Sequence, residues 1–280
     1  MSRPLLSLAG VTKRFGGVTA VDGVELLGMA GQVHGLIGPN GAGKSTLIGC
    51  ITGVNRINAG EIWLGDERID ALPVHRRARL GIGRTFQKIR LPAQLTVYEA
   101  VASGLAASWF ARGGRGWLHA FTSLRAPPIA QPVHAALEAA GIEDIAEVRV
   151  ASVPYGRRHF VELARTLIAQ PKVLFLDEPA TGMTADERQR FSRQVRDVAA
   201  RGRLVVLVEH DLTLVGELCD QVTVIEQGRR IFTGTPSEAQ RDTAVIRAYL
   251  GTMSFVAPEV PPPAQSPPQP PAPIPGEAAT

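Results

Sequence analysis

Gly38-Pro39-Asn40-Gly41-Ala42-Gly43-Lys44-Ser45-Thr46 decides the fold of this chain. The stretch fits the pattern G-x-x-x-x-G-K-[ST], and it lies between an apolar run that ends at Ile37 and a helical segment that begins at Lys44. Glycines let the backbone wrap closely round a polyphosphate with its N–H groups inward, and the helix N-terminus adds a partial positive charge. A glycine-rich turn with a surface lysine, the alternative, does not explain the strand and helix on either side. The stretch predicts a P-loop that binds a nucleoside triphosphate.

The side chains of the P-loop have separate predicted tasks. Lys44 is expected to reach the β- and γ-phosphates, and the Ser45 hydroxyl is expected to hold Mg²⁺. The residues predicted to line the nucleotide are Gly38, Pro39, Asn40, Gly41, Ala42, Gly43, Lys44, Ser45 and Thr46.

A second signal is the short apolar run Val173-Leu174-Phe175-Leu176, which ends in the acids Asp177 and Glu178. Its length and its flanking prolines predict a buried parallel strand, and open α/β sheets bind ligands at the carboxyl ends of such strands. Successive strand side chains point to opposite faces, so the two acids are expected to have different tasks. We predict that Asp177 holds Mg²⁺ through water and that Glu178 polarises the attacking water. Two acids at a strand end are common in proteins. Here the presence of a P-loop favours a functional interpretation of the pair.

Four more stretches follow the P-loop in a fixed order. They are Gly83-Arg84-Thr85-Phe86-Gln87, Tyr155-Gly156-Arg157-Arg158, Glu178-Pro179-Ala180-Thr181-Gly182-Met183 and Val208-Glu209-His210-Asp211. In this order they resemble the Q-loop, signature, D-loop and H-loop of ABC transporter ATPases. The resemblance covers residues 5–251.

Within that family the chain is most similar to the Liv-type group, the ATPases of branched-chain (hydrophobic) amino-acid importers. This similarity is carried by Thr12-Lys13-Arg14-Phe15-Gly16-Gly17 and by residues 81–91, 95–101 and 245–251. Related amide and urea importers use similar stretches and remain an alternative. Two further alternatives remain. One is a soluble ABC ATPase that acts on nucleic acids, for example in repair or ribosome function, and the other is a nucleotide-binding module that switches conformation with little ATP turnover.

The resemblance also implies roles for residues outside the P-loop. Gln87 would touch Mg²⁺ or the attacking water, and His210 would contact the γ-phosphate and position water. Phe15 would place its ring against adenine, the alternative being an ordinary core residue at a strand end. Tyr155 and Gly156 would face the nucleotide bound by a partner subunit.

The signature departs from the general family pattern. Pro154 stands where most relatives have serine, so the hydroxyl that would contact the partner's γ-phosphate is missing, and Arg157 replaces glutamine. Gly156 and the start of the following helix remain, so backbone amides can still face a phosphate. In the D-loop, Thr184 stands where many relatives have aspartate.

The partners follow from the resemblance. Two ATPase subunits would enclose ATP and Mg²⁺ between them, and a heterodimer is favoured over a homodimer. Two membrane-spanning permease subunits and a substrate-binding protein would complete the complex, which places the chain at the cytoplasmic face of the inner membrane. The net charge of +4 comes from widely spread basic residues, which indicates no nucleic-acid partner.

The whole chain is predicted to be α/β: a P-loop NTPase with a doubly wound core, an N-terminal antiparallel β subdomain and a helical insertion over 88–168. With 280 residues and 45% hydrophobic composition, it can bury a sizeable core. The ABC ATPase domain is expected over 1–253, and a proline-rich disordered tail over 254–280. The predicted strands are 5–15, 18–27, 32–37, 173–177, 203–208 and 221–226, with a hairpin over 61–69 and helices over 185–200 and 211–218.

The sequence shows neither a signal peptide nor an apolar stretch long enough to span a membrane. Its two cysteines, Cys50 and Cys219, have no metal-ligand spacing and are expected to be buried free thiols.

Overall fold

The computed structural model describes residues 3–85, 89, 91–110, 127–209 and 211–250. Its strands are β1 (Leu6–Phe15), β2 (Val18–Gly28), β3 (Val33–Ile37), β4 (Ala59–Leu64), β5 (Glu67–Arg68), β6 (Ile82–Arg84), β7 (Val173–Asp177), β8 (Leu204–Val208), β9 (Gln221–Glu226) and β10 (Arg229–Gly234). Its helices are α1 (Lys44–Thr52), α2 (Val74–Leu80), α3 (Val97–Phe110), α4 (Pro127–Ala140), α5 (Tyr155–Leu167), α6 (Ala185–Ala200), α7 (Leu212–Leu218), α8 (Pro236–Ala239) and α9 (Thr243–Leu250).

The larger sheet carries the P-loop at the end of β3. Among the described residues its strand order is β10-β9-β3-β8-β7-β6, and all neighbours are parallel except β10, which is antiparallel to β9. Parallel strands end at one edge, so the residues after β3 and β7 meet there. Only β8 lies between these two strands, which sets them about 10 Å apart.

A separate antiparallel sheet is built from the N-terminal part of the chain. Its order is β2-β1-β4-β5. The β4–β5 hairpin turns at Gly65 and Asp66, because Leu64 pairs with Glu67. The predicted hairpin and the antiparallel opening of the fold are therefore confirmed.

Two apolar cores lie on opposite faces of the larger sheet. In β7, Leu174 and Leu176 pack into the core shared with helices α3 to α7, whereas Val173 and Phe175 pack into the core shared with α1 and the antiparallel sheet. This is the period of two expected for a strand buried on both faces. Asp177 follows Phe175 by two positions, so the same alternation places its side chain on the α1 face.

The predicted bounds of the six strands and two helices are confirmed to within a residue, whereas the hairpin predicted over 61–69 begins two residues earlier, at Ala59. The strands 173–177 and 221–226 and the helix 185–200 agree with β7, β9 and α6. The helix predicted over 211–218 begins at Leu212, because Asp211 is its N-cap: one carboxylate oxygen accepts the backbone N–H groups of Thr213 and Leu214.

Several short elements were not predicted individually. Helix α2 is rich in arginine and has no apolar stripe that would predict it. It is held in place by the buried Arg77. The guanidinium of Arg77 donates to the carbonyl oxygens of Cys50 and Ile51 near the end of α1. Strand β6 has only three residues, which is too short for a periodic pattern. Strand β10 and helices α8 and α9 extend the fold beyond the last predicted strand.

Cys50 and Cys219 are both buried free thiols, as predicted. Burial raises the pKa of Cys50 to about 11 and that of Cys219 to about 12, so both thiols stay protonated at neutral pH. Within the described part of the chain, none of the helices combines the length and the apolar character needed to cross a membrane.

Candidate functional site

The P-loop connects β3 to α1 and is packed tightly against neighbouring backbone. Gly38 and Gly43 have φ of 147° and 103°, in the region that favours glycine. A Cβ atom at Gly38 would collide with the Ile225 carbonyl oxygen, and one at Gly43 with the Ala20 carbonyl oxygen. Only glycine therefore fits at these two positions, for reasons of conformation and of space.

Lys44 begins α1 and is almost fully buried. Its ammonium group donates to the carbonyl oxygens of Gly38 at 2.6 Å and Pro39 at 2.9 Å, so it spans the loop from inside. Burial lowers the pKa of Lys44, while the charges of Glu178 and Asp177 act in the opposite direction. The P-loop lysine and the two predicted carboxylates thus lie close enough for their charges to interact.

Asp177 ends β7 and is buried. Its Oδ2 atom accepts a hydrogen bond from Arg84 Nη2 at 2.9 Å, forming an ion pair in which the side chains of Arg84 and Asp177 are 21% and 7% exposed. A buried carboxylate is costly unless it is paired, and Arg84 meets that need. In the sequence Arg84 is only one residue of the Q-loop stretch, and its contact with Asp177 was not predicted.

Glu178 leaves the strand in a backbone conformation that is uncommon for its residue type. Its φ is 47°, in the left-handed region, and its N–H donates to the Val208 carbonyl oxygen at 2.9 Å. Non-glycine residues in this region cost free energy and cluster at functional sites. The bond to β8 and the turn that follows hold Glu178 at the carboxyl edge of the sheet.

The residues after Glu178 are held by a second carboxylate. Glu209 follows β8, is buried, and accepts the N–H of Ala180 at 3.3 Å. The start of the D-loop is therefore attached to the residue that precedes His210. The sequence analysis did not identify Glu209, because nothing in the local pattern shows that two separate strand ends meet.

Phe15 lies at the end of β1 with 49% of its surface exposed, so the alternative of a buried core residue is wrong. Lys13 Nζ lies 4.7 Å from the centre of its ring. Exposed aromatic surface of this kind is available for stacking against a flat ligand.

The residues predicted to hold Mg²⁺ fit a divalent cation. Asp177 is a buried carboxylate that already carries a cationic partner, and Ser45 is exposed next to Lys44. The described residues contain no cluster of three or more His, Cys, Asp or Glu side chains that could hold a metal by themselves. In nucleotide sites Mg²⁺ typically has one or two protein ligands, and phosphate oxygens and water complete its coordination. The predicted site fits this pattern.

The signature stretch forms the N-terminus of α5. Pro154 is the N-cap residue and makes no side-chain capping bond, Tyr155 is half-exposed, and Gly156 is buried. A Cβ atom at Gly156 would collide with the carboxylate of Glu187. That carboxylate is held in place, because it accepts the N–H of Thr184 at 2.9 Å in a capping box at the start of α6. Thr184, which stands where many relatives have aspartate, is therefore the N-cap residue of α6.

The signature helix and the D-loop contact each other directly. His159 is buried, and its Nε2 atom lies 3.0 Å from the carbonyl oxygen of Thr181. The Tyr155 ring packs edge-on against His159 and covers Gly182. Burial lowers the pKa of His159, while the bond to Thr181 and the charge of Glu187 act the other way. The buried ring joins the two segments.

Arg157 points away from the start of α5. Its guanidinium donates to both carboxylate oxygens of Asp144, at 2.8 and 2.9 Å. In this arrangement its charge is already paired. Gln87 and His210, the other two predicted catalytic residues, lie outside the described residues.

Comparison with known proteins assigns the family. Residues 21–181, more than half of the chain, match the model described as "ABC transporter". The chain belongs to the ABC transporter family. The resemblance stated from the sequence is confirmed, and with it the assignment as an ATP-binding, ATP-hydrolysing member of the family. Residues 229–253 also match the model described as "Branched-chain amino acid ATP-binding cassette transporter".

Relatives and solved structures agree with this assignment. The chain is 37% identical over 254 residues to the high-affinity branched-chain amino acid transport ATP-binding protein BraF of Pseudomonas aeruginosa, covering 90% of this chain and 99% of that protein. It is 37% identical over 257 residues to LivG of Escherichia coli, described in the same words, with the same coverage. A solved ATP-binding cassette of an ABC transporter in its ADP conformation has a TM-score of 0.77 at 26% identity, covering 89% of this chain and all of that one. The predicted fold class is confirmed.

Proposed function

We propose that this chain hydrolyses ATP to power import of branched-chain or other hydrophobic amino acids. The observation that carries the proposal is the 37% identity over 90% of the chain to two relatives named for branched-chain amino-acid transport. The segment 229–253, which matches a branched-chain transporter model, supports it. In the structure the described part of this segment, residues 229–250, packs beside the P-loop: Ala239 of α8 and Val245 of α9 line a small cavity with Ile37, the last residue before the loop.

We infer that ATP binds along the P-loop, with its adenine against Phe15 and its phosphates over residues 38–46. The exposed ring of Phe15 and the buried ammonium of Lys44 support this orientation. On binding, Lys44 would exchange its bonds to two loop carbonyl oxygens for bonds to phosphate oxygens. Phosphate oxygens carry negative charge, so the bonds from Lys44 to them are stronger than its bonds to the carbonyl oxygens.

Ser45 and Asp177 would hold Mg²⁺, which neutralises developing charge on the transferring phosphoryl group. Glu178, whose charge also acts on Lys44, would orient and polarise the attacking water. Gln87 is proposed to contact Mg²⁺ or that water, and His210 to contact the γ-phosphate, on the ground of the family resemblance alone.

The second half of each nucleotide site is proposed to come from a partner ATPase subunit, preferably a different one. The N-terminus of α5, with Tyr155 and Gly156, would face the partner's γ-phosphate. Pro154 offers neither a hydroxyl nor an N–H, so the backbone amides and the helix dipole must supply this contact. The domain boundaries 1–253 and 254–280, with the insertion 88–168, remain part of the proposal, as do the permeases, the substrate-binding protein and the location at the cytoplasmic membrane face.

Gly156→Asp tests the signature surface. It adds a negative charge where the partner's γ-phosphate is proposed to lie, and we expect ATP hydrolysis in the assembled transporter to fall at least ~100-fold, similar to the loss of a major transition-state contact. The same substitution also collides with the Glu187 carboxylate, so a folding defect has to be separated from an effect on the site.

The control is the double variant Gly156→Asp with Glu187→Ala. It removes the collision and leaves the net charge unchanged, so the thermal midpoint should recover to that of Glu187→Ala alone, which lacks the same capping bond of α6, while ATP hydrolysis stays low. If hydrolysis recovers together with the midpoint, the surface faces no phosphate and this part of the proposal is wrong.

The transported solute is tested by uptake. We expect cells of the source organism lacking this gene to lose uptake of labelled leucine, isoleucine and valine, and to regain it with the parent gene but not with Glu178→Gln. Uptake of urea, a short aliphatic amide and ribose serves as the control. If leucine uptake is retained and urea or amide uptake is lost, the proposed solute class is wrong and urea or amides become the solute.

A further inference from the structure

The ion pair between Arg84 and Asp177 lies at the metal end of the proposed nucleotide site. Arg84 ends β6, which pairs in parallel with β7 so that Arg84 is opposite Phe175. Ile82, two positions earlier, packs into the same core as Phe175. By the alternation of strand side chains, Arg84 and Asp177 therefore share the α1 face of the sheet. The register of two strands, and not a flexible surface contact, brings the two charges together.

The neighbouring Thr85 strengthens the attachment. Its N–H donates to the Phe175 carbonyl oxygen at 2.9 Å, which continues the β6–β7 pairing by one residue. Its hydroxyl also lies 3.5 Å from the Asp177 backbone nitrogen. The guanidinium of Arg84 is thus held beside the carboxylate by a strand end that is hydrogen-bonded to β7.

The distance indicates what Arg84 does there. A metal-bound water donates to a carboxylate oxygen at about 2.7–2.8 Å, and Arg84 Nη2 lies 2.9 Å from Asp177 Oδ2. The guanidinium nitrogen therefore takes one of the hydrogen-bonding positions on Oδ2 that such a water could use if Asp177 held Mg²⁺ through water, as proposed above. Because the guanidinium and Mg²⁺ are both positively charged and repel each other, they compete for this carboxylate.

We propose that Arg84 is the resident counter-ion of the metal-binding carboxylate, pairing with Asp177 while no metal is bound and yielding it to Mg²⁺ when the metal–nucleotide complex enters. The inference rests on the proposed metal role of Asp177. Arg84 is a positioning residue in this exchange: it keeps a buried carboxylate paired and oriented, and its charge attracts the phosphates before the metal is in place. Along the chain it is three residues before Gln87, so the exchange occurs at the base of the Q-loop stretch.

The test separates binding of the nucleotide from binding of the metal. ATP affinity is measured by calorimetry in EDTA, and Mn²⁺ affinity of the protein–ADP complex by electron paramagnetic resonance. In Arg84→Gln we expect ATP affinity in EDTA to fall about two- to fivefold, since a cation near the phosphates is lost. We expect Mn²⁺ affinity to rise by a similar factor, because the competitor for Asp177 is gone. A purely structural role would lower both affinities.

Two further variants complete the design. Arg84→Lys keeps the charge and should keep most of the ATP affinity in EDTA. Arg68→Gln is the matched control: it removes an exposed arginine that is paired with Glu61 and Asp70, and it should change neither the ATP affinity nor the Mn²⁺ affinity. If Mn²⁺ affinity in Arg84→Gln is unchanged or falls, the counter-ion role is overturned. If Asp177→Asn leaves Mn²⁺ affinity unchanged, the proposed metal role of Asp177 fails instead.

A measurement on the unmutated protein guards against a folding defect in Arg84→Gln. The guanidinium resonances of ¹⁵N-arginine-labelled protein, assigned with Arg84→Lys, report the ion pair directly. We expect the Arg84 side-chain signal to move much further on addition of Mg²⁺ with ADP than on addition of ADP with EDTA. An identical response to both additions would contradict the exchange.

Discussion

Glu178→Gln is expected to cut steady-state ATP hydrolysis at least ~100-fold, the lower range for loss of a catalytic base, while ATP affinity stays close to that of the parent. Glutamine has nearly the same shape and can keep the left-handed backbone at φ 47°, so the turn after β7 should survive. What is lost is the negative charge that polarises the attacking water. The measurement is phosphate release by the assembled transporter, with nucleotide affinity measured by calorimetry on the same preparation.

Glu209→Gln is the informative control for this variant. Glu209 is also a carboxylate at the edge of the sheet, but it accepts the N–H of Ala180 and has no proposed contact with the water. Its substitution should lower stability more than it lowers the catalytic rate. If Glu178→Gln hydrolyses ATP at the parent rate, Glu178 does not activate water.

Lys44→Ala is expected to weaken ATP binding and to abolish ATP hydrolysis. A hydrogen bond from a charged donor contributes about 1.5–3 kcal/mol, which corresponds to a roughly ten- to hundredfold loss of ATP affinity from this one contact. The structure adds a second cost, because Lys44 also holds the Gly38 and Pro39 carbonyl oxygens within the loop. Calorimetric titration with ATP and Mg²⁺ measures the first effect, and the thermal midpoint of the nucleotide-free protein measures the second.

Lys172→Ala provides the comparison, since Lys172 is an exposed lysine beside the amino end of β7, opposite to the edge where ATP is proposed to bind. It should leave ATP affinity unchanged. Equal affinity of the parent and Lys44→Ala would remove Lys44 from the phosphate site.

Most of the site could be predicted because its chemistry is encoded in short runs of residues. The P-loop needs glycine at fixed spacings, and the strand that ends in Asp177 has the length and composition of a buried parallel strand. Both were identified before the fold was known, and the larger sheet brings them to one edge. The order of the motifs was sufficient to identify the family, since each motif keeps its place along the chain.

Other residues could not be interpreted from their neighbours in the sequence. Phe15 at a strand end fits either a core residue or an exposed ring, and only its 49% exposure distinguishes the two. Thr184 and Gly156 seemed to be separate features, yet both depend on the Glu187 carboxylate, which caps α6 and fills the space beside the signature glycine.

The sequence by itself determined the P-loop, the acidic strand end, the antiparallel opening and the order of the motifs, because these depend on local conformation and on periodicity within a single element. The tertiary structure alone decided which charges meet. Arg84 and Asp177 are separated by 93 positions and pair only because β6 lies beside β7 in one register. His159 and Thr181 meet because α5 packs beside the turn after β7. Such contacts depend on how strands and helices are placed against one another, which no local pattern of residues specifies.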